Sequence, residues 1–159
     1  MTVGIRFAEP RDVPLITGLI KELAVYERLE HEVKATEEKV AKALFGVRPY
    51  AETLIAENDG EPVGFALFFH NFSTFLAQPG IYLEDLFVKP EARGNGIGRA
   101  LLERLAQIAV ERDCGRLEWA VLNWNTDAIR FYERLGAEPN SDWTVYRLSS
   151  DALHALAGQ

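Results

Sequence analysis

Residues 83–102 read LEDLFVKPEARGNGIGRALL. This order of residue types predicts an apolar strand, a short turn, a glycine-rich basic loop and then the first turn of an amphipathic helix. Backbone N–H groups that glycines leave uncovered at the N-terminus of a helix form a site for a diphosphate. The segment therefore predicts a phosphate-binding loop between a strand and a helix.

Three alternative interpretations of this loop are weaker. A dinucleotide-binding fingerprint needs G-x-G-x-x-G early in a βαβ unit, whereas these glycines stand at 94, 96 and 98 and follow a strand in the middle of the chain. A P-loop needs Gly-Lys-Ser/Thr, which is absent. A turn that merely starts a helix would not explain Arg93 or the acidic strand before the loop.

Length and charge restrict the class of protein. The chain has 159 residues, with 17 basic and 24 acidic side chains and a formal net charge of −7. This length suits one domain with a proper core, so we expect a single domain over residues 1–159. The acidic balance argues against nucleic-acid binding and favours a cationic partner. No apolar run approaches the ~18 residues of a membrane span, and no signal-peptide pattern opens the chain, so we expect a cytoplasmic protein without a membrane partner.

Cysteine and histidine usage predicts no metal site. The single cysteine, Cys114, excludes an internal disulfide and a cysteine zinc cluster. The three histidines, His31, His70 and His154, share no ligand spacing.

Hydrophobic periodicity predicts alternating strands and helices. Strands are expected at residues 3–7, 54–57, 63–69, 81–88, 117–122 and 143–148, and helices from Pro10, from 37 to about 45, from 97 to about 112 and from about 126 to 134. Asn58-Asp59-Gly60 is a hairpin signal, residues 71–79 are expected to form a loop, and Asn125 or Thr126 is expected to cap the last helix. Since strands joined by hairpins run antiparallel and strands joined by helices can run parallel, the fold class is a mixed α/β sheet.

The spacing Arg93-x-x-Gly96-x-Gly98 resembles the acyl-CoA loop of the GNAT N-acetyltransferase superfamily, and the order of elements is similar to the GNAT fold. Within that superfamily the chain resembles the spermidine/spermine (diamine) and thialysine N-acetyltransferase branch. The matching segments span most of residues 4–148, and they are 19–27, 64–66, 82–88, 93–98, 124–125 and 131–137. Residues 120–125 look more like the thialysine-type members, and residues 70–79 lack the tryptophan that polyamine enzymes carry there.

The resemblance implies an enzyme that transfers the acetyl group of acetyl-CoA directly to the primary amine of a small cation. Such an amine has a pKa near 10.4, so only about one molecule in 2,500 is neutral at pH 7 and the enzyme must remove a proton. Glu84 matches the family's general base, acting through a water, and Tyr132 matches the acid that protonates the departing thiolate. From the residues alone, Glu84 and Asp85 are equally two carboxylates at a strand edge. An aromatic on the inner face of a short helix is the commoner role of a tyrosine beside a phenylalanine, but Tyr132 lies four residues before Gly136, as the family's motif requires.

The resemblance also implies which residues hold acetyl-CoA. A backbone N–H of Leu86 or Phe87 would face the thioester oxygen, and the backbone of Phe87 and Val88 would pair with the pantetheine arm. Asn125 matches a side chain at the pantetheine end, although a plain N-cap explains it as well. Tyr132 would touch the cofactor, and the diphosphate would lie on the loop residues Arg93, Gly94, Asn95, Gly96, Ile97, Gly98 and Arg99.

The acceptor is expected to be a thialysine-like amino acid, a diamine or a polyamine. The residues expected to contact it are Glu27, Glu84, Asp85 and Trp143. Asp85 points away from Glu84 if the strand is regular, but a bulge would change that. Glu30 and Glu32 are better explained as a solvated charge run.

The branch implies a homodimer built from the last strand and the C-terminal segment 151–156. Two rival functions stay open: acetylation of a protein or peptide amine on the same fold, and a non-catalytic acyl-CoA sensor. Intact Glu84 and Tyr132 argue against the sensor, because a pure binder needs neither.

Overall fold

A mixed five-stranded sheet forms the first part of the molecule. The computed structural model describes residues 1–159 and divides into two units, Met1–Ala120 and Val121–Gln159. In the first unit the strands lie in the order β1 (Val3–Phe7), β2 (Glu52–Asn58), β3 (Glu61–Ser73), β4 (Gln78–Val88) and β5 (Leu117–Trp119). The first four are antiparallel to their neighbours and β5 is parallel to β4, which confirms the mixed α/β class.

Three helices of this unit pack on the sheet. Helices α1 (Val13–Tyr26) and α2 (Glu37–Phe45) cover one face, and α3 (Ile97–Glu111) contacts the sheet as well. The shared core of α1, α2 and the sheet includes Ile16, Leu19, Leu23, Val40, Leu44, Ile55, Phe65 and Phe87, with Leu67 packed against it. We call the sheet face that carries Ile55, Phe65, Leu67 and Phe87 the α1 face. Phe68, the next residue along β3, points to the other face, where Arg112 at the end of α3 lies over its ring.

Local signals for turns and caps are confirmed. Asp59 and Gly60 join β2 to β3 with φ values of 51° and 83°, as a two-residue hairpin turn of the primed type requires. The Thr36 hydroxyl caps α2 by accepting a hydrogen bond from the Lys39 N–H at 3.2 Å.

The expected loop at residues 71–79 is wrong. Strand β3 continues to Ser73 and β4 starts at Gln78, so only residues 74–77 turn. The pairing continues with Asn71 opposite Gly80 and Ser73 opposite Gln78, and the side-chain oxygen of Asn71 lies over Gly80, where a glycine leaves room for it. The Pro79-Gly80 pair therefore belongs to a strand rather than ending a loop.

The second unit holds α4 (Thr126–Arg134) and α5 (Ser150–Leu156). Asn125 caps α4 by accepting from the Ala128 N–H at 3.3 Å, and Gly136 follows the helix with φ of 91°. The expected strand at 143–148 is wrong, since these residues belong to no strand and Tyr146 is 93% exposed. Alternation alone does not make a strand, because a strand also needs a partner for its backbone groups. The strand expected to reach residue 122 ends at Trp119, and α5 was not expected.

None of the helices combines the length and the apolarity needed to cross a membrane.

Candidate active site

The glycine-rich loop ends at the exposed N-terminus of α3. Gly96 is the N-cap in the left-handed conformation, with φ of 77° and ψ of 11°, and Gly94 has φ of 81°. The first α-helical bond runs from the Ala100 N–H to the Gly96 carbonyl at 2.9 Å, so the N–H groups of residues 97–99 have no acceptor in the helix. The first turn carries no acidic side chain. These groups form the positive end of the helix and suit an anion.

The side chains of the loop are held by the protein itself. Arg93 donates from Nε to the Val88 carbonyl at 2.8 Å, and its guanidinium lies 4.6 Å from the centroid of the Tyr26 ring. Asn95 donates to the Ala92 carbonyl at 3.1 Å, and Arg99 pairs with Glu103 at 2.8 Å. The backbone of the loop, rather than these side chains, is therefore the surface available to a diphosphate.

Strand β4 has an open edge beside this loop. It pairs with β3 as far as Val88, but with β5 only from Ile81 to Leu83. Residues 84–88 therefore have a strand neighbour on one side only, and alternate residues present backbone N–H and C=O groups to the free edge. An extended ligand can add to that edge as a further strand would.

A β-bulge places Glu84 at the start of this open edge. Asp85 lies opposite Leu67 and Leu83 lies opposite Phe68, so Glu84 is an extra residue on β4. Asp85 is thereby aligned with Leu67 on the α1 face, half-buried, whereas Glu84 is exposed. The regular alternation that would separate these two side chains does not apply here.

Burial and neighbouring carboxylates raise the pKa values of Asp85 and Glu27 around the bulge. Burial, and then the charges of Glu84 and Glu27, raise the pKa of Asp85 to about 7. Burial and the charge of Glu84 also raise the pKa of Glu27, which follows α1 directly. None of the three forms an ion pair in the structure. A cation at this point would relieve their mutual repulsion.

Glu30 and Glu32 form a short, exposed 3₁₀ turn. Their position agrees with the interpretation as a solvated charge run.

The structure adds two residues that sequence reasoning missed. Tyr82 lies on the α1 face opposite Phe69, with ring centroids 5.3 Å apart, and Glu118 of β5 lies beside it. Burial, and then the charges of Glu84 and Glu118, raise the pKa of the Tyr82 hydroxyl. The sequence offered one signal for Glu118: it stands two residues after Arg116, and residues at this spacing in an extended segment lie on the same face.

The remaining expected site residues lie in the second unit. Tyr132 is a half-buried residue of α4 whose ring lies 5.5 Å from that of Phe131, and Asn125 begins that helix. Trp143 is 76% exposed. No group of three or more histidine, cysteine or acidic residues is placed to hold a metal ion.

An open strand edge, followed by a glycine-rich loop that starts a helix, defines the class of an acyl-CoA-dependent acyltransferase. The chain belongs to the acetyltransferase (GNAT) family, whose model matches residues 18–137. It is therefore an N-acetyltransferase, and the family uses acetyl-CoA as its co-substrate.

Full-length relatives narrow the branch. The bovine protein named thialysine N-epsilon-acetyltransferase is 39% identical, over 99% of this chain and 98% of its own. The Arabidopsis thaliana protein named L-ornithine N5-acetyltransferase NATA1 is 35% identical, over 96% of this chain and 86% of its own. Among solved structures, an integron cassette protein from the mobile metagenome of V. cholerae superposes with a TM-score of 0.84 at 29% identity, covering 100% and 99% of the two chains.

Proposed function

We propose that the protein transfers the acetyl group of acetyl-CoA directly to the primary amine of a small cationic acceptor: a thialysine-like amino acid, a diamine or a polyamine. The observation that carries the proposal is the set of three mutually repelling carboxylates, Glu27, Glu84 and Asp85, at the open edge of β4. The names of the relatives, which act on thialysine and L-ornithine, support it.

In the proposed reaction Glu84 accepts the proton of the bound ammonium through a water. Its exposure at the bulge permits that water, and Asp85 and Glu27 hold the cation. The free amine then forms an N–C bond to the thioester carbonyl, whose oxygen accepts a hydrogen bond from the backbone N–H of Leu86 at the free edge; such a donor is typically worth about 3–4 kcal/mol. The C–S bond breaks and the Tyr132 hydroxyl gives its proton to the thiolate. The nitrogen releases its second proton to solvent, from which Tyr132 is reprotonated, so the amide and CoA are both neutral at the reacting atoms.

The backbone supplies most of the proposed acetyl-CoA contacts. Residues 93–99 take the diphosphate on the uncovered N–H groups at the start of α3. The Lys89 N–H bonds to the Val63 carbonyl of β3, so alternation turns the backbone groups of Phe87 to β3 and those of Leu86 and Val88 to the free edge. Leu86 and the Val88 N–H, rather than Phe87, therefore pair with the pantetheine arm there. From the second unit, Asn125 contacts the pantetheine end and Tyr132 the thioester, while Trp143 borders the acceptor.

We further propose a homodimer in which residues 143–148 supply a strand that the chain alone does not form. Support comes from the alternating pattern of this segment combined with the exposure of Val145, Tyr146 and Leu148, at 87%, 93% and 51%. Helix α5 also exposes two leucines, Leu153 and Leu156. The single-domain organisation and the cytoplasmic location stay predictions.

The function is tested by screening amines for CoA release with acetyl-CoA as donor. Turnover on thialysine, ornithine, lysine or short polyamines, sensitive to Glu84→Gln, is the expected result. Turnover only on peptides or on neutral aromatic amines would contradict the small-cation acceptor. Acetyl-CoA binding without turnover on any amine would favour the sensor.

A further inference from the structure

A polar cavity lies on the α1 face, at the end of the sheet opposite the glycine-rich loop. It is a shallow cavity of about 20 Å³ with an open mouth, at the point where the hairpin of β3 and β4 meets the start of β5. The polar residues that line it are Asn71, Ser73, Arg116 and Glu118. Gly80 of β4, the strand between β3 and β5, also lines it. The side-chain oxygen of Asn71 occupies the space above Gly80, so Asn71 forms the wall of the cavity over β4.

The cavity carries one positive and one negative side chain that do not neutralise each other. Arg116 and Glu118 are two residues apart and form no ion pair within 4.0 Å. Each is held by a neutral neighbour instead. Arg116 donates to the Ser73 hydroxyl at 3.3 Å, and Glu118 accepts from the Asn71 amide at 3.3 Å. The pair therefore offers a carboxylate site and an ammonium site side by side.

The cavity and the bulge share one face. Along β3, Leu67 lies opposite Asp85, Phe69 opposite Tyr82 and Asn71 opposite Gly80, all on the α1 face. Tyr82 and Phe69 form an aromatic floor between the two ends. Glu118 lies beside Tyr82, and the Arg116 carbonyl accepts from the Ile81 N–H at 2.9 Å, which places Arg116 at the far end.

The separation suits an amino acid with a side-chain amine. Asn71 lies four residues after Leu67, and at ~3.3 Å per residue the two positions are about 13 Å apart. An extended ornithine or lysine measures roughly 6–8 Å from carboxylate carbon to terminal nitrogen, given C–C bonds of ~1.5 Å. Charge-assisted contacts of about 3 Å at each end complete the span. A diamine of the same length would reach the bulge but would leave Arg116 without an anion.

We propose that Arg116 and Glu118 bind the carboxylate and the α-ammonium of an amino acid whose side-chain amine reaches Glu84 and Asp85. The inference rests on the proposed function and narrows its acceptor to α-amino acids. It also assigns specificity to two residues outside the catalytic bulge.

The test compares acceptors that differ only in the carboxylate: L-ornithine with putrescine, and L-lysine with cadaverine. Arg116→Ala is expected to lower the ratio of kcat/KM for amino acid over diamine about 10- to 100-fold, the usual worth of a hydrogen-bonded ion pair. Arg116→Lys is expected to recover part of the ratio. Arg104→Ala, which removes the same charge from the exposed side of α3, is the matched control and should leave the ratio unchanged. An unchanged ratio in Arg116→Ala would overturn the proposal.

A ligand that has no side-chain amine to acetylate tests this inference independently of the proposed function. L-norleucine has the α-amino-acid group but no side-chain amine, so it should compete with the acceptor in the parent protein and far less in Arg116→Ala or Glu118→Gln. Acetylation of diamines but not of ornithine or lysine would overturn the inference and keep the proposed function. If no small amine is acetylated, the proposed function fails. Calorimetry with L-ornithine then tests whether the cavity binds an amino acid. Binding that depends on Arg116 supports the inference, and the absence of binding overturns it.

Discussion

The guanidinium of Arg93 stacks 4.6 Å from the centroid of the Tyr26 ring and thereby joins the glycine-rich loop to the end of α1. Glu27 follows Tyr26 directly, and Arg93 also holds the last carbonyl of β4 through its bond to Val88. One side chain therefore connects the loop proposed for the diphosphate, the open strand edge and a carboxylate proposed for the acceptor.

Replacing Gly96 or Gly98 by valine is expected to weaken acetyl-CoA binding by about 10- to 100-fold, because a side chain keeps the diphosphate from the N–H groups at the start of α3. Calorimetry with CoA measures the effect. Gly60→Val is the control for the strain at Gly96, since Gly60 has a similarly positive φ of 83° in the turn between β2 and β3. Unchanged affinity in a folded Gly98→Val protein would contradict the proposed diphosphate site.

Substitutions of the three carboxylates at the bulge are expected to have two different kinetic effects. Glu84→Gln is expected to lower kcat by about 10²- to 10⁴-fold, as loss of a general base does, and to change the pH–rate profile. Glu27→Gln and Asp85→Asn are expected mainly to raise the KM of the acceptor. Glu38→Gln, at an exposed position of α2, serves as the control for a lost charge. If Glu84→Gln altered only KM, the base would have to be another residue.

The local fold could be predicted wherever short-range chemistry decides it. The Asp59-Gly60 turn and the Asn125 cap follow from residue type and spacing, and the structure confirms them. The extension of β3 and β4 through residues 71–79 could not be predicted. It rests on the pairing of the two strands, with Asn71 opposite Gly80 and Ser73 opposite Gln78, which neither segment shows alone.

The sequence could suggest which residues form the candidate site, but not how they lie relative to one another. The pair Glu84 and Asp85 stands out in the sequence, yet regular alternation would separate the two side chains. The bulge depends on the register between β3 and β4, which sequence does not specify locally. The same holds for Tyr82 and Glu118, which become neighbours only through the parallel pairing of β4 with β5.

Tyr132→Phe is expected to lower kcat by about 10²- to 10⁴-fold while leaving CoA affinity nearly intact, because only a hydroxyl used in the transition state is lost. Phe131→Leu, which alters the neighbouring aromatic ring without removing a proton donor, is the control for packing in α4. Steady-state kinetics and calorimetry on both variants check the split. More than about half of the normal kcat in Tyr132→Phe, with chemistry limiting turnover, would make Tyr132 a structural residue.

The proposed dimer predicts that a charge within residues 143–148 shifts the protein towards a monomer. Tyr146→Asp is expected to do so, because it would bury an unpaired carboxylate in the interface. Phe75→Asp is the matched control, since Phe75 is 98% exposed at the hairpin tip. Light scattering across a concentration series measures the mass. A parent protein that stays monomeric at micromolar concentrations would rule the dimer out.

Asp85 should make the free protein less stable as pH rises from about 4 to about 7. The unfolded carboxyl ionises near pH 3.9, whereas burial and the neighbouring carboxylates hold the folded pKa at about 7. Between these values the folded state binds more protons than the unfolded state, so stability falls with pH and the loss is complete above pH 7. Asp85→Asn removes the effect, and its melting temperature should exceed that of the parent protein more at pH 8 than at pH 5.

Asp12 provides the control of opposite sign, and the acceptor provides the functional readout. Arg6 lowers the pKa of Asp12, so Asp12→Asn should destabilise the protein at pH 7 and do so less as pH falls below about 4.

A cationic acceptor binds the ionised form of Asp85, so the affinity for the acceptor should rise with pH through about 7. Binding should then release a proton, which calorimetry in two buffers detects. In Asp85→Asn both the pH dependence and the proton release should be lost. Acceptor binding that is independent of pH between 6 and 8 in the parent protein would show that Asp85 does not bind the cation.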